Sequence, residues 1–506
     1  MRPDPGGSRP EEAHGIVAPT ASRLVCQGCG YQVALDEIRP YRCREGERRD
    51  NVDHVLRRVF DASIFKAWSD PETIFRDPEP NPFRRYRRLF YSYQIAKLGG
   101  IMDSAYLRIV DRLDAAIADI DGSGFRATPF APSNELARSI GLEPDSLWVK
   151  DETGNVSGSH KARHLMGIMI WLEVIRALRR PEGTAPKLAI ASCGNAALAA
   201  AVVARAAGRP LEVFVPPDAG AQITERLVEL GAELTLCPRR ASDPFGDPCY
   251  LRFLEAWRKG ALPFTVQAKR NGMTLEGGCT LVWEMVSTLT GKAADLDHLV
   301  IQVGGGALAA SCVEGLRNAR DLGLIDRLPR IHTVQTASGY PLRRAYDRLV
   351  SRLLRVDRPA PRSFRSRSRS QSRSEFDFAA DSARALRIRD DFPSGTVAQE
   401  IAHGIRHRAD FMWAWETQPQ SIAYGILDDE TYDWVAVTEG MLETGGLPLV
   451  VSEQRLAEAH RLAHAHTSIP VEPTGSAGLA GLIELQHSGV IRPGETAAIL
   501  FSGVER

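Results

Sequence analysis

From Leu147 onward, short apolar, β-branched runs alternate with longer segments whose small and apolar residues recur at helical spacing. The runs LWVK, KLAIA, LEVFV, ELTL, FTV, HLVIQV and IHTVQ predict strands. Segments such as ALAAAVVARAAG after Asn195 and ALAASCVEGL after Gly306 predict the helices between them. Strands separated by helices imply βαβ units and a mostly parallel sheet. The alternation stops between about Val356 and Pro393. It resumes with WVAV as a strand, a helix near Glu453 to His466, a short run IPV, a further helix and AAILF. The interruption contains RSFRSRSRSQSRSE, whose like charges and hydroxyls offer no apolar face, so a flexible, solvated insertion over about 356–393 is expected. Ahead of the periodic region, residues 1–20 read as a disordered leader and 21–125 as an irregular amino-terminal region.

Composition narrows the function classes. The 506 residues are 43% hydrophobic and 25% charged with zero formal net charge, as in ordinary globular proteins. Balanced charge gives nucleic acid no general hold, so it is not expected as a partner. No stretch approaches the roughly 18 uninterrupted apolar residues of a membrane span. Eight cysteines in so long a chain do not form a disulfide framework, and reduced thiols in the cytoplasm are expected.

Four motifs carry candidate chemistry, each at the start of a predicted helix. In SGSHKARHLM, residues 157–166, a glycine turn delivers Lys161 to the mouth of a largely apolar helix. An ammonium is costly to bury there, and a desolvated lysine has a lowered pKa and can form a Schiff base with a carbonyl. A solvent-facing lysine explains this stretch equally well. After the strand HLVIQV comes GGGALAAS, Gly304 to Ser311. Its spacing is neither the dinucleotide G-x-G-x-x-G nor a Walker loop, and consecutive amides at a helix start suit a small terminal phosphate. A tight turn without ligand is the plain alternative. In ASCGNAALAAA, Ser192, the Gly194 amide and Asn195 offer donors suited to a carboxylate or phenolic oxygen. In VEPTGSAGLAGL, Thr474 lies on a turn into a small-residue helix, with Ser476 as its competitor.

In this order, the motifs resemble those of the fold type II pyridoxal-phosphate enzymes, which include threonine synthase, cysteine synthase, threonine and serine dehydratases and the tryptophan synthase β chain. The resemblance spans about residues 125–335 and 430–505. It implies an α/β, two-lobed, doubly wound catalytic fold over 126–506, preceded by an irregular N-terminal extension, with pyridoxal 5'-phosphate as cofactor. By motif, Lys161 would hold the cofactor as a Schiff base and the amides of Gly304, Gly305, Gly306 and Ala307 would take its phosphate, with His160 beside it. Asn195 would bond the ring hydroxyl and Thr474 would face the ring nitrogen. Ser192, Gly194 and Asn195 would receive the substrate carboxylate. A hydroxyl at the ring nitrogen, unlike a carboxylate, does not hold it protonated, which suits elimination and replacement over transamination.

The resemblance favours a threonine synthase-like lyase acting on a small amino acid, with a homodimer as its possible assembly. Threonine synthases usually show S-F-K-D-R around the lysine; here S-H-K-A-R keeps Arg163 and places Ala162 where the acid stands. A β-replacement synthase or an amino-acid ammonia-lyase is the second reading. A non-catalytic cofactor-binding or RNA-associated protein is the remote one. Many threonine synthase-like proteins begin with a cysteine-bearing segment, and this chain shows C-x2-C-x13-C through Cys26, Cys29 and Cys43. A zinc ribbon needs a fourth ligand near position 46, which is glycine, although His54 could substitute. A degenerate ribbon held by packing, without metal, is the expectation.

Overall fold

The computed structural model describes residues 20–48, 50–179, 185–243, 246–290, 296–354 and 376–506. Nearly all of the expected leader and the Arg-Ser tract lie outside these residues. The strands, in chain order, are β1 Ser22–Cys26, β2 Leu56–Phe60, β3 Phe130–Pro132, β4 Leu147–Asp151, β5 Leu188–Ala191, β6 Leu211–Val215, β7 Glu233–Leu236, β8 Leu262–Pro263, β9 His298–Gln302, β10 Arg330–Thr336, β11 Pro448–Val451 and β12 Ala497–Phe501.

Two sheets define two lobes. The larger runs β11-β10-β9-β12-β4-β3, parallel except for the antiparallel edge strand β3. Its central strands β9 and β12 are buried at every position, as expected where helices cover both faces. The smaller sheet runs β7-β6-β5-β8 and is wholly parallel. Inside the large lobe, Gln302 at the end of β9 donates through Nε2 to the Gly475 and Leu500 carbonyls, each at 3.1 Å. That buried amide fixes the Pro473–His487 helix against the sheet.

The stretch expected to be irregular, 21–125, is ordered. It holds the β1–β2 hairpin and several helices, the longest being Asp103–Asp121. The apolar stripe of that helix, Tyr106, Val110, Leu113 and Ile117, recurs every three to four residues and is buried. The hairpin is anchored by Arg58, which bonds Glu314, the Leu89 carbonyl and Asn318, each at 2.7 Å.

Other elements differ from the sequence reading. WVAV is the start of the Trp434–Thr444 helix. Its β-branched residues suggest a strand, but Trp434, Thr438, Met441 and Leu442 share a buried face and Gly445, at φ +69°, caps its end. The run FTV lies just beyond β8. IPV forms no strand beyond a single bridge from Val471 to Val504. The expected flexible insertion is corrected over its second half, where Phe378–Asp391 is a helix capped by Asp377. Arg343 Nη2 pairs with Asp381 of that helix at 2.7 Å, and Phe378, Ala385 and Ile388 are buried.

Candidate active site

The turn before Lys161 is built under strain. Ser157 has φ +57°, a left-handed conformation that costs a non-glycine residue about 1 kcal/mol or more. Both its backbone groups are tied down: its amide donates to Asp121 at 2.6 Å and its carbonyl accepts from Arg506 at 2.8 Å. Asn155 Nδ2 holds the Ser159 carbonyl at 3.0 Å. The chain then enters the Lys161–Arg179 helix, whose first turns are locked by a fully buried charge network. Arg163 reaches Glu152 through Nε at 2.8 Å and Glu284 through Nη1 at 2.6 Å, and Lys150 Nζ meets Glu284 at 2.5 Å. Two cations against two carboxylates keep this buried set neutral in sum, which is what makes its burial tolerable.

Lys161 is half-buried, and the charges acting on it most strongly are carboxylates. Desolvation lowers its pKa, and Asp428, Asp433 and Glu472 oppose that drop. His160 is buried, with Nδ1 on the Ser502 hydroxyl and Nε2 without a partner among the described residues. Desolvation and the nearby Lys161 keep this imidazole neutral. The glycine loop follows β9 directly into the Ala307–Asp321 helix, with Gly306 at φ +101°. A Cβ at Gly304 would lie 2.3 Å from the Asp428 carboxylate, which also faces the Gly305 amide. Burial pushes Asp428 up to about 6.

The other sequence-predicted residues join the same cluster. Asn195 opens the Asn195–Ala206 helix after β5, and its Nδ2 donates to Glu472 at 2.6 Å while its Oδ1 accepts from Arg506 at 2.7 Å. Ser192 and Gly194 flank it, with the Gly194 amide 3.4 Å from the Ser192 hydroxyl. Thr474 Oγ1 accepts from the Gly425 amide at 3.0 Å, leaving its own proton free to donate. Ser476 instead donates to the Pro473 carbonyl at 3.2 Å, within its own helix turn.

Two side chains escaped the sequence reading. Glu472 binds Asn195 and, at 2.9 Å, the Tyr424 hydroxyl. It sits inside the quoted VEPTG run, so its position in a motif was the available signal. Asp428 belongs to a segment, Tyr424–Asp433, with no motif. That segment nevertheless joins the parts, since Gly425 meets Thr474, Thr431 bonds the Gly304 carbonyl and the Asp433 amide bonds the Gly305 carbonyl, the last two at 3.0 Å.

The donors fit a phosphorylated aldehyde: a desolvated amine, a glycine bend, an imidazole nitrogen with no partner among the described residues, and a threonine hydroxyl that accepts from Gly425. Residues 123–503 match the family described as pyridoxal-phosphate dependent enzyme. The chain belongs to that family: it is an enzyme whose cofactor is pyridoxal 5'-phosphate. It is similar to threonine synthase of Methanosarcina acetivorans, 24% identical over 378 residues that make up 74% of each chain. It is 27% identical to threonine synthase of Mycobacterium tuberculosis over 381 residues, 74% of this chain and 80% of that one. The fold is that of the processed form of threonine deaminase isoform 2 from Solanum lycopersicum, with a TM-score of 0.51 and 14% identity over 80% of this chain and 91% of the other. Among the described residues no helix is long and apolar enough to cross a membrane.

Proposed function

We propose that this enzyme is a threonine synthase-like catalyst of elimination and replacement at an amino-acid side chain, with Lys161 as its covalent anchor and proton carrier. The observation that carries this reading is the Lys161 amine, desolvated and sharing Asp428 with the Gly304–Gly305 bend. Bound there, pyridoxal 5'-phosphate supplies an electron sink for the α-carbon of an amino acid. The amides of Gly304, Gly305, Gly306 and Ala307 hold the phosphate, helped by the positive end of the Ala307–Asp321 helix. His160, neutral and with Nε2 unpartnered, donates or accepts beside it without adding charge. Thr474 donates its free proton to an unprotonated ring nitrogen, and Asn195 faces the ring hydroxyl. Ser192 and the Gly194 and Asn195 amides receive the substrate carboxylate.

Once the substrate amine has displaced it from the cofactor, the freed Lys161 Nζ would take the α-proton and later return a proton. Its depressed pKa leaves more of the amine unprotonated near neutrality than in an ordinary lysine. The likeness to threonine synthases supports O-phosphohomoserine as substrate, with water as the incoming nucleophile. Ala162, buried where an acid is usual, favours as a second reading a β-replacement synthase or ammonia-lyase. All eight cysteines are free, which supports a cytoplasmic setting, and the family resemblance supports a homodimer. The test is to mix purified holoenzyme with O-phosphohomoserine, O-acetylserine, serine and threonine, following the cofactor spectrum and released product. Threonine and phosphate from O-phosphohomoserine alone uphold the leading reading; pyruvate or 2-oxobutyrate from serine or threonine, with O-phosphohomoserine inert, replaces it with the second.

A further inference from the structure

The sequence leaves the amino-terminal cysteine ribbon one ligand short, and the fold supplies the missing corner. Cys26 Sγ, Cys29 Sγ, Cys43 Sγ and a ring nitrogen of His54 all lie within 4.8 Å of one another. Cys26 Sγ is 3.6 Å from His54 Nδ1, and Cys29 Sγ is 3.5 Å from Cys43 Sγ. A tetrahedral centre with metal–sulfur bonds of about 2.3 Å and a metal–nitrogen bond of about 2.0 Å has edges of about 3.5–3.8 Å. The two separations match those edges. A disulfide is absent, since all three thiols are free.

We propose that Cys26, Cys29, Cys43 and His54 bind a structural zinc ion through three thiolates and one imidazole.

Three further features belong to a built site. First, His54 replaces the ligand expected at position 46: a Cβ on Gly46 would lie 3.6 Å from the His54 Cβ, so the histidine enters the corner that the glycine leaves open. Second, the far nitrogen of His54, Nε2, lies 3.3 Å from the Asp50 carboxylate. That pairing fixes the tautomer, presenting Nδ1 with its lone pair to the cysteines, as carboxylates do for metal-bound histidines elsewhere. Third, backbone amides surround the sulfurs: those of Gly28 and Cys29 face Cys26, Tyr31 faces Cys29, and Glu45 donates to Cys43 at 3.4 Å. Such amides offset the negative charge of three thiolates around a doubly charged ion. Soft sulfur donors with one imidazole select zinc over magnesium or calcium.

Four protein ligands leave no open coordination position, so the ion is structural rather than catalytic. Its placement shows what it braces. Asp53, the neighbour of His54, accepts from Trp434 Nε1 at 3.0 Å and pairs with Arg408 at 3.3 Å. Trp434 opens a helix whose preceding residue, Asp433, holds the carbonyl of Gly305. The knuckle therefore backs the support of the glycine loop.

The proposal is independent of the substrate reading and is tested by metal content. Purified holoenzyme, passed through a chelating column, is expected to retain one zinc ion per chain by inductively coupled plasma mass spectrometry. His54→Ala should lose most of it and His54→Cys should restore it, whereas Cys237→Ser, outside the cluster, should retain it. Should His54→Ala fold poorly, cobalt-grown wild-type protein gives the second readout: the intense visible bands and thiolate charge transfer of a tetrahedral cysteine-rich centre. Wild-type protein without stoichiometric zinc, His54→Ala holding as much as wild type, or cobalt protein with the pale spectrum of an oxygen-ligated octahedral ion would each overturn the assignment.

Discussion

Asn195 Nδ2 donates to Glu472 Oε1 at 2.6 Å, joining the first helix of the small lobe to the last helix of the large one. The same carboxylate takes the Tyr424 hydroxyl, so one buried acid orients two residues of the candidate site. Glu472 is raised from its ordinary pKa chiefly by burial, and a neutral amide is a close substitute for it. Glu472→Gln is expected to retain most activity, whereas Glu472→Ala leaves the Asn195 Nδ2 without its acceptor, with only Arg506 still holding Oδ1, and should lower kcat/KM about tenfold, equivalent to about 1.4 kcal/mol. Steady-state kinetics on both variants decide it; equal losses would show that the charge, not the hydrogen bond, matters.

The buried network around Arg163 predicts a large stability effect. Removing the guanidinium leaves Glu152 and Glu284 facing Lys150 alone in a water-free interior. Arg163→Ala should therefore lose about 3–5 kcal/mol in urea unfolding. Arg163→Lys, with a single ammonium in place of a fork, should recover only part of it. A loss under about 1 kcal/mol for the alanine variant would refute this account.

Gly277 is where two helices touch backbone to backbone. A Cβ there would lie 2.0 Å from the Arg163 carbonyl oxygen, so alanine must push the Lys161 helix aside. Gly277→Ala should destabilise the protein by about 1–3 kcal/mol and weaken cofactor retention. Gly154→Ala, where a Cβ meets nothing within 4 Å, serves as the control and should change neither. Thermal melts together with cofactor absorbance after dialysis check both statements.

Asp428 predicts a pH dependence. Desolvation raises its carboxyl to about 6 against an ordinary 3.8, with Lys161 pulling the other way. A raised carboxyl favours its neutral form, so its stabilising contribution is present at low pH and is lost as pH rises through about 6. In protein stripped of cofactor, Asp428→Asn should accordingly gain stability, by about 1 kcal/mol more at about pH 8 than at about pH 5. Urea unfolding at both values measures it, and a gain independent of pH would refute it.

Much of the catalytic fold was legible in the chain because βαβ units repeat a local rule. Short apolar strands, each followed by a small-residue helix, mark a parallel sheet whatever the partner strand turns out to be. LWVK, KLAIA, LEVFV, ELTL, HLVIQV and IHTVQ are all strands on that basis. WVAV misled because β-branched residues score as strand locally, while the burial of Trp434 against Phe411 and Asp53 decides for helix. The Asp103–Asp121 helix was passed over even though its apolar stripe was present in the sequence.

By itself the sequence located the turns that carry the candidate residues: Lys161 at a helix mouth, three glycines after β9, Ser192 just before a helix, and Asn195 and Thr474 at helix starts. Backbone geometry at such turns depends on neighbouring residues, which a linear reading sees. Only the tertiary structure decided what surrounds them. Asp428 and Glu472 approach Lys161 from segments far along the chain, and Asp50 meets His54 beside the three cysteines. Desolvation and charge interactions act through space, so the acids that tune the half-buried Lys161 amine become visible only in the assembled fold.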